Sequence, residues 1–187
     1  MKARQLVLLA SLIAGAVQAQ HAHHGAPGSA TAMPYAGMQD RAIKALSDED
    51  RRALLEGRGS GMALAAELNG FPGPAHVLEL AEPLQLTGEQ RQATQLLMQA
   101  HQAEARALGA QVVDAERELD RAFAGRQLDE REVDRLTARI GELQARLRAA
   151  HLRTHLKQSA LLTPVQVARY QQLRGYTAAA AAPERAR

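Results

Sequence analysis

Cysteine and tryptophan are absent from the 187 residues, and aromatic side chains make up only 3% of them. Without thiols the chain forms no disulfide, even in an oxidising compartment, and it offers neither a cysteine nucleophile nor a cysteine for lipid attachment. With so few aromatics, Leu, Ala, Val and Ile must build the core, and a chain of this size buries one modest, elongated core. A large excess of one charge is missing too: 23 basic residues face 20 acidic ones, a formal net charge of +3, too little for a nucleic-acid footprint. Nothing alternates like a strand. No serine sits in a nucleophile elbow, and the Gly57, Gly59, Gly61 spacing has no strand ahead of it to make a phosphate loop. Asp129 and Glu130 stand side by side at a helix start, where capping accounts for them. The expectation is therefore no enzyme and no required cofactor.

The longest apolar run lies between Leu6 and Val17, behind Lys2 and Arg4 and ahead of small Val17 and Ala19. At about a dozen residues it is too short to span a bilayer and fits a secretory leader cut near Gln20. Loss of Lys2 and Arg4 with it leaves a balance of about +1. The expected product is periplasmic, secreted through a cleaved signal peptide. The chain then reads as a leader (1–19), a His-rich flexible tail (20–35) too poor in apolar surface to offset the entropy of ordering, a helical extension (36–84), a helical domain (85–175) and a disordered tail (176–187).

Within that domain one motif occurs twice: Leu86-Thr87-Gly88-Glu89-Gln90 and Leu162-Thr163-Pro164-Val165-Gln166. Thr followed by Gln three residues on is a reciprocal capping box, so Thr87 with Gln90 and Thr163 with Gln166 should each open a helix. Pro164 suits the first helical turn. From Thr87 to about Ala124, Ala93, Leu97, Ala100, Leu108, Val112, Ala115, Leu119 and Phe123 recur at helical period, and after Gly125-Arg126-Gln127 so do Val133, Leu136, Ile140, Leu143 and Leu147. Asp129 with Glu132 has the spacing of another capping box. Two long helices joined by so short a loop run antiparallel. In the extension, Ser47 with Asp50 opens a short helix, glycines join it to a second, and Pro74 opens a third. The fold class expected is all-α: an extended antiparallel hairpin in a four-helix domain, with apolar edges that favour a homodimer.

The doubled motif behind a leader resembles the periplasmic LTxxQ family of Spy/CpxP-like proteins and their metal-linked relatives ZraP and CnrX, over roughly residues 75–175. That resemblance implies a small helical stress protein outside the cytoplasm. In that family some members hold unfolded clients without ATP, some bind metal ions, and CpxP-like ones damp a membrane signalling partner. The leading expectation is an ATP-independent chaperone for unfolded periplasmic proteins. The alternative is a heavy-metal sensor or buffer acting on an envelope signalling protein.

The seven histidines are where chemistry would reside. A turn centred near Arg126 leaves His101 and His151 equally far from it, hence at the same level of the hairpin, and His151 with His155 lies at i, i+4 on one helix face. With Glu104 they make a candidate set of three imidazoles and one carboxylate for Zn²⁺, Cu²⁺ or Ni²⁺, with Met98 as the nearest soft alternative. The same pairing places Glu104 near Arg148. His21, His23 and His24 in the tail suit loose metal capture, and His76 reads as structural. Arg131, Arg135, Arg139, Arg146 and Arg153 line one flank of the second long helix. Such a row is ordinarily a solvated face, and in a Spy-like cradle it would serve as client-binding surface.

Overall fold

The computed structural model describes residues 33–126 and 128–177, and among them every regular element is helical. After a 3-10 turn at Met38–Asp40 come α1 (Asp48–Glu56), α2 (Leu64–Glu67), α3 (Pro74–Glu79), α4 (Gly88–Ala124), α5 (Glu130–Ala160) and α6 (Pro164–Arg174). The chain divides into Met1–Ala36 and Gly37–Arg187, and all these helices belong to the second unit. The expected leader and the histidines at 21, 23 and 24 lie outside the described residues. No described helix is long and apolar enough to cross a membrane.

The long hairpin is α4 against α5. At 37 residues, α4 is about 55 Å long. Its inward-facing seam repeats every seven residues: Thr94, His101, Leu108 and Ala115 on one track, and Met98, Ala105, Val112 and Leu119 on the other, with Met98, His101 and Leu119 half-buried. From α5 come Leu136, Ile140, Leu143, Leu147, Ala150, Thr154 and Gln158, at spacings of three or four residues, with His151 buried beside Ala150. This is the seam of an antiparallel helix pair. It differs from the expected stripe because Thr94 is buried at a seam position, whereas Ala100 is turned outward and Phe123, beside the tip, is 58% exposed.

The apolar core falls into separate clusters. Ala105, Leu108, Leu147 and Ala150 form one, with Leu54 and Met62 against it; Val112, Ala115, Ile140 and Leu143 form the next. A third, at the end away from the tip, gathers Val77, Ala81, Leu84, Leu86, Leu162 and Tyr170 from α3, α6 and the intervening loops. Between this end and the hairpin clusters lies a polar layer in which Gln158 Nε2 donates to Thr94 Oγ1 at 3.1 Å. Against the outer face of α4 lies α1, so close that a Cβ at Gly109 would collide with the Leu54 carbonyl.

Both LTxxQ boxes form, as does that of Ser47 with Asp50. At Asp129 only half of the expected box is present. Its carboxylate accepts the Glu132 N–H at 2.8 Å, but the Glu132 carboxylate turns to Arg135, 2.7 Å away. A charged partner outcompetes a neutral N–H for that carboxylate. The two LTxxQ boxes are also joined to one another. Gln90 and Gln166 exchange two amide hydrogen bonds, each 2.9 Å long, while Gln90 Nε2 donates to the Leu161 carbonyl and Gln166 Nε2 to that of Leu84. The motif thus caps two helices and clasps their starts together.

Candidate metal centre

Facing positions of the hairpin bring His101 and His151 into edge-to-face contact, with ring centroids 4.5 Å apart. Both rings, together with His155, His76 and Met98, line a cavity of about 420 Å³ between the hairpin and residues 56–76. His151 is 5% exposed, and its Nε2 is buried without a hydrogen-bond partner. Burial first, and then neighbouring His101 and His155, pull its pKa down to about 4. Burial also lowers that of His101, with Glu104 opposing. Both rings are therefore neutral at pH 7, the state in which imidazole ligates a metal.

Hydrogen bonds assign the ring tautomers. The Thr154 hydroxyl donates to the Ala150 carbonyl at 2.9 Å, so toward His101 Nδ1, 3.1 Å away, it acts as acceptor and Nδ1 carries the proton. His155 Nδ1 donates to the Phe71 carbonyl at 2.7 Å. Each ring keeps its electron pair on Nε2. Among the expected ligands Glu104 stands apart: it is exposed and accepts from Arg153 at 3.1 Å, rather than lying with Arg148. Its charge is thereby engaged at the surface, outside the cavity.

Sequence reasoning passed over a buried carboxylate that borders the cavity. Glu67, at the end of α2, is 6% exposed. Its Oε2 accepts the Gly73 N–H at 3.1 Å, and its Oε1 accepts from the hydroxyls of Tyr170 and, at 3.2 Å, Tyr176. Burial, and next the bond to Glu67, push the Tyr170 pKa upward, so that phenol stays a donor. Glu67 Oε1 also lies 3.3 Å from His76 Nδ1, and Oε2 lies 3.6 Å from His155 Nδ1. His76, read as structural from its isolation in the sequence, therefore shares a buried carboxylate with a histidine of the hairpin. The Pro-Gly turn at 71–74 makes this approach, and no periodicity in the sequence announces it.

The donor chemistry suits a borderline cation: ordered imidazoles, a thioether, and no thiolate. Among the described residues no three His, Asp or Glu side chains already converge on one point that would hold an ion. The cavity is wider than a single ion needs, so ligation requires it to contract.

The arginine row lies on the exposed flank of α5, largely in ion pairs. Arg135 and Arg139 reach Glu118 of α4 at 3.1 and 2.8 Å, Arg153 reaches Glu104, and Arg146 lies 3.9 Å from Glu142. Arg131 is exposed near the start of the helix.

An all-helical hairpin with histidines gathered under a short helical roof is the class of structure defined here. Residues 61–169, more than half of the chain, match the family model described as heavy-metal resistance, and the chain belongs to that family. No curated protein and no solved structure matches it significantly.

Proposed function

We propose that this heavy-metal-resistance protein works in the periplasm as a non-enzymatic metal buffer or sensor, binding Zn²⁺, Cu²⁺ or Ni²⁺ through His101, His151 and His155. The observation that carries the reading is the edge contact of His101 with His151 across the hairpin, beside a cavity that His155 also lines. A metal drawn in there changes the packing of α4 on α5, and a membrane signalling partner would read that change. Calorimetric titration of the full chain with Zn²⁺, Cu²⁺ and Ni²⁺ tests it. Stoichiometric binding should vanish in the His151→Ala, His155→Ala double variant and survive replacement of the tail histidines 21, 23 and 24 by alanine. Retention by the double variant would refute the site.

Client holding is the second reading, favoured by apolar side chains left open on both long helices: Leu96 at 59%, Phe123 at 58% and Leu156 at 54% exposure. A homodimer would cover part of that surface. Suppression of aggregation of a denatured client by metal-free protein would support holding, and its absence would leave the metal reading alone.

A further inference from the structure

We infer that residues 57–76 are a metal-closed roof: His76 on α3 supplies a further imidazole to the ion held by His101, His151 and His155, and Glu67 is the positioning residue for His76. The inference rests on the metal reading above and adds to it an element that neither long helix provides.

The roof lies directly on the imidazoles. A Cβ at Gly59 would stand 3.3 Å from His151 Nδ1, and one at Gly73 only 2.9 Å from His155 Cε1, so glycine is what lets the backbone come this near. His76 Nδ1 faces Glu67 Oε1 and the Tyr170 oxygen, each at 3.3 Å. Because the Tyr170 hydroxyl gives its proton to Glu67, both neighbours are acceptors, and His76 Nδ1 is the donor. His76 thus joins His101 and His155 as an Nδ1–H ring with its electron pair on Nε2. A carboxylate holding the far nitrogen of a ring is the usual outer support of a histidine ligand, raising its basicity and setting its orientation.

Glu67 itself is committed. Its oxygens receive the Gly73 N–H and two tyrosine hydroxyls, which leaves it orienting ligands rather than acting as one. The other carboxylate at the cavity wall, Glu56, pairs with Arg58 at 3.0 Å. Nitrogen donors with the Met98 sulfur nearby, and carboxylates already engaged, select Zn²⁺ or copper over Mg²⁺, Ca²⁺ or Mn²⁺. Because no three ligands converge beforehand among the described residues, the ion must pull α3 toward the hairpin. Binding would then be read out as a more tightly held roof.

The test uses the full chain with His21, His23 and His24 replaced by alanine, titrated with Zn²⁺. His76→Ala should weaken binding by at least about 10- to 100-fold, since loss of an outer partner of a ligand alone brings that much, and Co²⁺ absorption in the visible should change shape. In the parent protein, ¹⁵N-labelled imidazole spectra should show the Nε2 resonance of His76 moving on addition of Zn²⁺ while Nδ1 stays protonated. That measurement decides the matter if the variant fails to fold. Glu67→Gln should shift the tautomer balance of His76 in the same spectra before any metal is added, and leave that of His155, held by the Phe71 carbonyl, unchanged. An unmoved His76 resonance, with unchanged affinity in His76→Ala while His101→Ala and His151→Ala lose the ion, would overturn the roof and leave the hairpin site standing. If all three variants bind as the parent does, the metal reading fails, and this inference with it.

Discussion

Replacing Gln90 or Gln166 should cost more than the loss of a helix cap. The Gln90 amide makes four hydrogen bonds: it accepts from Thr87 N at 3.1 Å and from Gln166 at 2.9 Å, and donates to Leu161 O and to Gln166, each at 2.9 Å. A net contribution of roughly 0.5–1.5 kcal/mol per bond, lessened by partial exposure, puts Gln90→Ala at about 2–4 kcal/mol. Gln166→Ala should fall in the same range, since its amide mirrors the arrangement. Two of the bonds belong to both residues, so the double variant should cost about 1–2 kcal/mol less than the two singles together. Gln90→Glu sharpens the test. It keeps the shape and the oxygen that caps Thr87, but loses both donated bonds and sets a carboxylate oxygen against the Leu161 carbonyl. It should therefore destabilise about as much as alanine. Urea unfolding followed by circular dichroism measures all four variants. Additive single effects within about 0.5 kcal/mol, or a Gln90→Glu variant as stable as the parent, would refute the clasp and leave two independent caps.

Three further outcomes are expected. Gly109→Ala, which in an open helix would stabilise by roughly 0.5–1 kcal/mol, should instead destabilise by about 1–3 kcal/mol, because the new Cβ meets the Leu54 backbone; a raised melting temperature would contradict that packing. Thr87→Ala and Thr163→Ala should each cost about 0.5–2 kcal/mol through the lost cap, visible as lower urea midpoints, and unchanged midpoints would count against both boxes. For pH, the folded pKa of His151 lies below its ordinary value, at about 4, so the folded state binds fewer protons than the unfolded chain. Its contribution is fully present above about pH 6.5 and is lost as pH falls from there toward 4, up to about 3 kcal/mol. Urea titrations of metal-free protein across that window, compared with His151→Phe, should show a flatter slope in the variant; equal slopes would place the acid sensitivity elsewhere.

Much of the helical frame was legible before any coordinate. The boxes at Thr87 and Thr163, Pro164 in a first turn and the break at Gly125 are local signals, each acting within one turn of backbone, and α4, α5 and α6 begin and end close to where those signals stand. The level pairing of His101 with His151 was legible too, because a short loop forces antiparallel helices and the chain length from the turn then sets the register. What failed was reading the seam from apolar residues alone. A seven-residue seam admits whatever side chain falls in register, so it took Thr94 and left Ala100 and Phe123 outside. Glu104 likewise went to Arg153 and the surface, since its charge is better hydrated there than in a desolvated layer.

By itself the amino-acid sequence determined the helices, their order and the antiparallel return, because capping, periodicity and loop length are properties of neighbours along the chain. Only the tertiary structure decided which residues share the cavity. Glu67, Gly73 and His76 meet His155 through a Pro-Gly turn folding across the hairpin, and the two glutamines of the repeated motif join through space. Such contacts depend on the position of one element relative to another, set by the collective burial of three core clusters, and no short stretch of sequence encodes that position.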